Sequence, residues 1–418
     1  MLIGIDASRA NRSHKTGTEW YSYHLIRELA KLDKDNQYIL YTDTPLTGGM
    51  ADLNEGNRDG TPPVDAKGFQ IIKSPHHNFR AKVLKWSHRF FWTQGRLSLE
   101  MIRHAPDVLF VPAHTLPLIH PKKSVVTIHD IGFKRQEGLY NKARLGYKGR
   151  FFDSLVKVLT GGRYRATHLD YLEWSTLFAL EQAAKVITIS EFSKKEIIDV
   201  YQAKPEKLAV VYNGYDQEIY HPVTDEGLIV ETLNKYGISR PYVFYVGRLE
   251  KKKNTARLIE AFALLKNEHQ SLNHKLVLVG DASFGYDQIR MVVHQYGISD
   301  DVILTGWVEE ADMPVIFSAA TAFIFPSHYE GFGIPLLQAM ACGTPIVASS
   351  AASIPEIAGE AAWYFDPTNT EEMAEKITDV ILSQDLRQEL LDAAKEQIKQ
   401  FSWQRAARET LTVLESLK

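Results

Sequence analysis

TAFIFPSHYEGFGIPLLQAMACGTPIVAS, residues 321–349, decides how this chain folds. It runs as a strand, a Gly-rich turn carrying an acidic residue, a short helix, a Gly stop and a second strand. Residues 322–325 form a short apolar run of strand type. Gly331 and Gly333 admit backbone conformations that other residues resist. Pro335 suits a first helical position, and Gly343 with Pro345 ends the helix about two turns later. The free N–H groups at that helix start point out of the loop that carries Glu330. Such a start attracts phosphate, and a carboxylate beside it can hold sugar hydroxyls, so the order of elements suggests a nucleotide-sugar site. Taken alone, the same block also fits an ordinary buried strand–loop–helix unit.

Working outward, strand-like and helix-like segments alternate along the whole chain. Residues 2–6, 38–41, 70–73, 108–111, 124–129, 186–190 and 208–212 are strand candidates, with an amphipathic stretch at 19–32. Ser193 and Glu196 have capping-box spacing for the helix after 190. Residues 215–240 carry no strong apolar run. The alternation then restarts with strands at 242–246, 275–279, 302–305 and 346–349, helices between them, and a second capping-box spacing at Ser353 and Glu356. Alternating strands and helices imply a parallel sheet covered on both faces, and two such sets imply two Rossmann-like α/β domains. The expected division is 1–215 and 216–401.

A chain of 418 residues is too long for one ordinary core and agrees with two domains. Its single cysteine, Cys342, excludes an intramolecular disulfide and a Cys-rich zinc site. No apolar run reaches membrane-spanning length, and the N-terminus goes straight into a strand, so cytoplasmic residence is expected. The net charge of −3 conceals an asymmetry: residues 1–220 hold 31 Lys+Arg against 24 Asp+Glu, and the remainder is acidic. The basic excess concentrates at 80–104 and 142–165, where Trp and Phe are interleaved with Lys and Arg. That composition suits the anionic inner face of a membrane, and it equally suits a solvated helix whose aromatics face the core. Nucleic acid is a poor partner for a slightly acidic chain.

Candidate cations follow the strand at 242–246. In Val246-Gly-Arg-Leu-Glu-Lys-Lys-Lys-Asn254, Arg248 and Lys253 stand five residues apart at a strand's C-terminal edge. There they can converge on one diphosphate; a Lys run alone is most often a solvated face. His129-Asp130 closes another strand, and a His at such a strand end is as often structural as catalytic.

The block Glu330, Gly331, Phe332, Gly333, Ile334, Pro335, Leu336, Leu337 resembles the donor-site signature of family 4 glycosyltransferases, whose second Glu is replaced here by Gln338. IHDIGF, VITISEFSK, VVYNGYD and VGRLEKKKN occur in the order seen in the mannosyltransferase-like branch of that family. The resemblance implies a GT-B architecture, two Rossmann-like domains facing each other across a cleft, with a final helix over about 402–418 crossing back to the first domain. It implies a retaining enzyme of surface polysaccharide synthesis that uses an NDP-sugar, GDP-mannose first, and a glycan or lipid-linked acceptor, without metal or further cofactor. By the same resemblance Arg248 and Lys253 bind the diphosphate, Glu330 holds the donor sugar, and the Phe332 and Gly333 amides lie near both, with Gly331 and Ile334 in the same loop. Gln338 takes the ribose, Gly280 and Val308 flank the base, Gly17 approaches the phosphates and acceptor, and His129 sits beside the donor sugar. A UDP-sugar transferase, a sugar-nucleotide epimerase of the same fold and a low-activity scaffold subunit are the rival readings.

Overall fold

The computed structural model describes residues 1–53, 63–66, 68–86, 92–139, 167–280 and 286–418. The chain divides into two compact units: Met1–Glu137 with Asn141–Asn213 and Trp403–Lys418, and Gly214–Ser402 with Gly138–Tyr140.

The first unit is built on eight strands: β1 (Leu2–Asp6), β2 (Gln37–Thr42), β3 (Gln70–Ile71), β4 (Phe79–Val83), β5 (Val108–Val111), β6 (Ser124–Ile128), β7 (Lys185–Thr188) and β8 (Leu208–Val210). Their order in the sheet is β3-β4-β2-β1-β5-β6-β7-β8. All neighbours run parallel except β3, which pairs antiparallel with β4. The chain leaves β1 toward β2 on one side and later fills β5 to β8 on the other. The C-terminal ends of β1 and β5 therefore flank the point where the winding reverses, which is where open α/β sheets bind ligands. The helix Trp403–Glu415 packs on the helix Gly17–Leu32 of this same unit. Trp403 and Tyr21 are both buried there, with ring centroids 6.0 Å apart.

The second unit carries six parallel strands: β9 (Tyr242–Val246), β10 (Lys275–Val279), β11 (Val302–Gly306), β12 (Ala322–Phe325), β13 (Ile346–Ser349) and β14 (Ala362–Phe365), in the order β11-β10-β9-β12-β13-β14. Winding reverses between β9 and β12. The loops after those two strands, 247–254 and 326–333, thus leave the sheet side by side. Helices Thr255–Glu268 and Thr370–Leu382 cover one face through Leu258, Phe262, Leu265, Met373 and Ile377, all buried.

Three local expectations are corrected. The first part of the basic segment 80–104 is strand β4: Ala81 is buried in the sheet while Lys82 reaches Glu100 at 2.5 Å. The helix Glu191–Tyr201 is capped by Ser190, whose hydroxyl accepts from the Ser193 N–H at 3.0 Å, so Ser193 is not the cap. The helix Ile354–Ala358 has no side-chain cap from Ser353. The second basic segment, 142–165, lies outside the described residues. No helix among the described residues is long and apolar enough to cross a membrane.

Candidate functional site

In the second unit, glycines bring three strand ends into contact. Gly247 (φ +149°) and Gly280 (φ +137°) follow β9 and β10, and Gly306 (φ +69°) ends β11. Gly247 donates to Val279 O at 3.0 Å, and Gly280 donates to Gly306 O at 2.9 Å. A Cβ on Gly280 would stand 2.1 Å from Gly247 O. Only two backbones without side chains pass this close, and the approach gathers Arg248, Gly280 and the turn leading to Val308 at one edge. Arg248 is exposed, and no carboxylate among the described residues forms an ion pair with it. Its carbonyl accepts from the Tyr245 hydroxyl at 3.1 Å. Burial first, then Glu330 and Glu250, push that phenol well above its usual range, so it remains a neutral donor.

Lys253 ends the short turn Lys251–Lys253 ahead of Asn254, which adopts the left-handed conformation (φ +59°). The Asn254 amide donates to Pro326 O at 3.1 Å and to Pro367 O at 2.8 Å, tying this turn to the loops after β12 and β14. His328 N adds a bond to Lys252 O at 3.1 Å. So anchored, the Lys253 ammonium meets Glu330 Oε1 at 2.6 Å, with the two side chains only 18% and 11% exposed. A pair this sheltered feels little screening, and each charge depends on the other or on a ligand to replace it.

Glu330 begins the Gly-rich turn. Gly333 (φ +103°) starts the helix Ile334–Cys342, with Pro335 in its first turn and Gly343 (φ +71°) closing it. Phe332 is buried and meets Phe401 edge-on at 5.8 Å. Gln338 lies half-buried one turn into the helix, and Val308 is buried. Ten of the twelve predicted site residues thus fall in this unit: Arg248, Lys253, Gly280, Val308, Glu330, Gly331, Phe332, Gly333, Ile334 and Gln338. Direct contact joins Lys253 to Glu330.

Gly17 and His129 belong to the first unit. Gly17 opens the helix Gly17–Leu32 in an exposed position, and a Cβ there would meet nothing within 4 Å. His129 follows β6 and is 8% exposed. The Tyr21 ring stands edge-on to it at 4.7 Å, and His114 lies 5.6 Å away. Its Nε2 is 3.3 Å from Pro112 O, and its own carbonyl accepts from Ser193 Oγ. Burial, then His114, push its pKa down to about 3, so the ring is neutral at physiological pH. A neutral imidazole can orient a hydroxyl; it is a poor acid or base near pH 7.

Asp6, at the end of β1, was not among the predicted residues. It is 5% exposed and accepts from Ser8 N (3.0 Å), Ser8 Oγ (2.6 Å) and Thr93 Oγ1 (3.3 Å). Burial raises its pKa more than these donors lower it. Its position ahead of Ser8 and the glycine loop was the available signal. Asn254 and Ser353 were also missed, because their partners are distant in sequence; Tyr245 was missed although its partner, Arg248 O, is only three residues on.

Comparison with known proteins follows this division. Residues 15–219 match the Glycosyltransferase Family 4 domain, and residues 231–397 match the glycosyl transferases group 1 domain. The chain is 28% identical over 327 residues to O-antigen chain mannosyltransferase B of Escherichia coli, covering 77% of this chain and 84% of that protein. It is 30% identical over 274 residues to the alpha-maltose-1-phosphate synthase of Mycolicibacterium smegmatis, covering 60% of this chain and 67% of that protein. Among solved structures, sucrose-phosphate synthase from Thermosynechococcus elongatus superposes with a TM-score of 0.70 at 18% identity, over 100% of this chain and 99% of that one.

Proposed function

The chain belongs to glycosyltransferase family 4, and on that premise we propose that it is a retaining mannosyltransferase that uses GDP-mannose. The acceptor in this reading is a glycan or lipid-linked glycan of surface polysaccharide synthesis. The observation that carries it is the sheltered Lys253–Glu330 pair beside Arg248, where the winding of the second sheet reverses. A diphosphate brings the negative charge that the exposed Arg248 lacks, and a sugar brings hydroxyls for Glu330. The mannosyltransferase named above supports mannose as the sugar.

The acceptor hydroxyl attacks the anomeric carbon on the face from which the diphosphate departs. Arg248 and Lys253 stabilise the charge that develops on the leaving group. Glu330 holds the donor sugar as it gains positive character, while the Phe332 and Gly333 amides bound the sugar and diphosphate. Gly280 and Val308 flank the base, and Gln338 takes the ribose with a neutral acceptor in place of a carboxylate. That exchange costs about 1–2 kcal/mol of donor affinity. His129 orients a hydroxyl as a neutral partner. The scheme calls on no metal ion.

Peripheral membrane docking belongs to the same reading. Leu99 (51% exposed), Ile102 (59%) and Ile119 (48%) are exposed on the first unit. A bond from Ile119 N to Ser98 Oγ at 3.3 Å places the last beside the other two. Arg103, Lys122 and Lys123 are exposed around them. An anionic bilayer accepts both the aliphatic tips and the cations.

A hydrolysis screen across GDP- and UDP-sugars, followed by GDP-against-UDP competition, tests the donor. GDP-mannose turnover blocked by GDP supports the reading. UDP-sugar turnover replaces the donor, and no turnover with any nucleotide sugar favours the scaffold alternative.

A further inference from the structure

Ser353 stands where its sequence spacing with Glu356 calls for an N-cap, yet it does not cap. The helix Ile354–Ala358 starts at Ser353 without a side-chain cap, and the residue itself is helical (φ −79°, ψ −5°). Its hydroxyl, 0% exposed, instead lies 3.0 Å from Glu330 O and 3.2 Å from Phe332 O, sharing one proton between two carbonyls of the Gly-rich turn. The residue before it, Ala352, has φ +57°, a conformation that a Cβ disfavours. Four non-glycine residues among those described have positive φ, and two of them, Asn254 and Ala352, sit in the loops that tie down the segment around Lys253 and Glu330.

Two local preferences are therefore broken in succession. A serine gives up its own helix terminus, and an alanine takes a strained turn. Both departures deliver one hydroxyl to the turn that carries Glu330. Local rules fail in this way where the surrounding structure holds a geometry for a purpose.

We propose that Ser353 is a positioning residue: its hydroxyl, delivered by the strained turn at Ala352, holds the 330–333 turn so that the Glu330 carboxylate and the Phe332 and Gly333 amides meet the donor. The inference rests on the reading of that turn as part of the donor site. Ser353 touches no reacting atom. It acts through the main chain of Glu330 and Phe332, so its removal loosens a carboxylate needed most in the transition state. The loss falls on kcat more than on KM.

The test uses the full chain and the nucleotide sugar that the wild type hydrolyses fastest, GDP-mannose first. Thr344→Val is the control for losing a buried hydroxyl bond, because Thr344 Oγ1 donates to Phe317 O at 2.8 Å away from the Gly-rich turn. Ser353→Ala is expected to lower kcat about tenfold and raise KM less than threefold, with a Tm loss no larger than that of Thr344→Val. Ser353→Thr restores the hydroxyl and should return kcat toward wild type. If Ser353→Ala does not fold, Ala352→Gly relaxes the turn while keeping the serine, and kcat should fall about threefold with little change in Tm. A kcat within twofold of wild type in Ser353→Ala, or in Ala352→Gly where that variant stands in, overturns the role of Ser353 while leaving the donor site intact. A wild type that neither binds nor hydrolyses any nucleotide sugar overturns the donor-site reading, and this inference with it.

Discussion

The two units place their candidate residues at the same kind of edge, the C-terminal ends of parallel strands, but by opposite means. In the second unit the backbone is forced. A Cβ on Gly280 would sit 2.1 Å from Gly247 O, and Lys253 and Glu330 are locked at 2.6 Å. In the first unit Gly17 stands in open space, and His129 is kept neutral by burial against the Tyr21 and His114 rings. It stays so although the carboxylates of Asp130 and of Glu19, the latter paired with Arg9 at 3.0 Å, lie within electrostatic reach. One unit is prepared to hold charge through rigid main chain and paired ions. The other keeps its histidine neutral, suited to a hydroxyl, and leaves its loop glycine uncrowded. That difference teaches which glycines the fold itself needs.

The largest effect should come from Gly280→Ala. The added methyl group meets backbone, and φ +137° disfavours any side chain, so a destabilisation of about 3 kcal/mol is expected in thermal or urea melts. A variant that melts like wild type would show that the strand ends are not tightly joined, and the contrast between the units would fail.

Next come the charges. Lys253→Ala or Arg248→Ala should remove most transfer, each costing about 1.5–3 kcal/mol of transition-state stabilisation, in a protein that still folds. Glu330→Gln should lower kcat, while Gln338→Glu should leave kcat alone and lower KM. Steady-state kinetics separates these roles. Near-normal turnover in both cation variants would remove the donor site from this edge.

Acid sharpens the comparison from the other side. His24, stacked between Trp20 (5.3 Å) and Trp403 (5.2 Å), has its pKa pushed down to about 3 by burial and then by Arg27 and Lys15. His129 is displaced equally far. An unfolded histidine titrates near 6.5, so between that pH and about 3 the unfolded chain binds protons that the folded chain refuses. Their stabilisation is full above pH 6.5 and is lost as pH falls, by about 1.4 kcal/mol per pH unit for each ring. Melting from pH 7 to 5 should show the loss, and His24→Phe should make it shallower. An equal slope in the variant would mean that the ring is not held neutral by its surroundings.

The smallest effect is the most discriminating. Gly17→Ala should shift stability by less than about 0.5 kcal/mol, since nothing crowds the new methyl group and the position is helical. Transfer should nevertheless fall if the loop approaches a donor phosphate. Unchanged activity would return Gly17 to the role of an ordinary helix start.

Much of this was legible because the governing interactions are local. Ala322 to Phe325, the turn through Gly333, Pro335 and Gly343 punctuate a strand, a turn and a helix within one window, and the structure has them there. The family and its two parallel-sheet α/β architecture followed from motifs of the same compactness. Strand β4 was not legible, because Arg80 and Lys82 make its alternation look like a charged surface, while their charged ends stand over the Phe69 ring (5.7 and 5.5 Å). Ser353 was misread for the complementary reason. Its residue type and spacing state a cap, but its partners, 21 and 23 residues back in the chain, decide otherwise. Asp6 was passed over because its one local signal, a carboxylate at a strand end two residues ahead of Ser8, is too common a pattern to single out a site.

The helix Trp403–Glu415 belongs to the first unit although it is made after the second. During synthesis the first unit emerges early and then waits for the 214–402 stretch, roughly 10–40 s at common translation rates, before its last helix leaves the ribosome. Throughout that interval Tyr21 and His24, which Trp403 later covers, stay open to the wrong neighbours. The second unit is nearly continuous and can close as it emerges. The unit that is started first is therefore finished last, and a nascent chain stalled anywhere before residue 403 is a natural client for a chaperone.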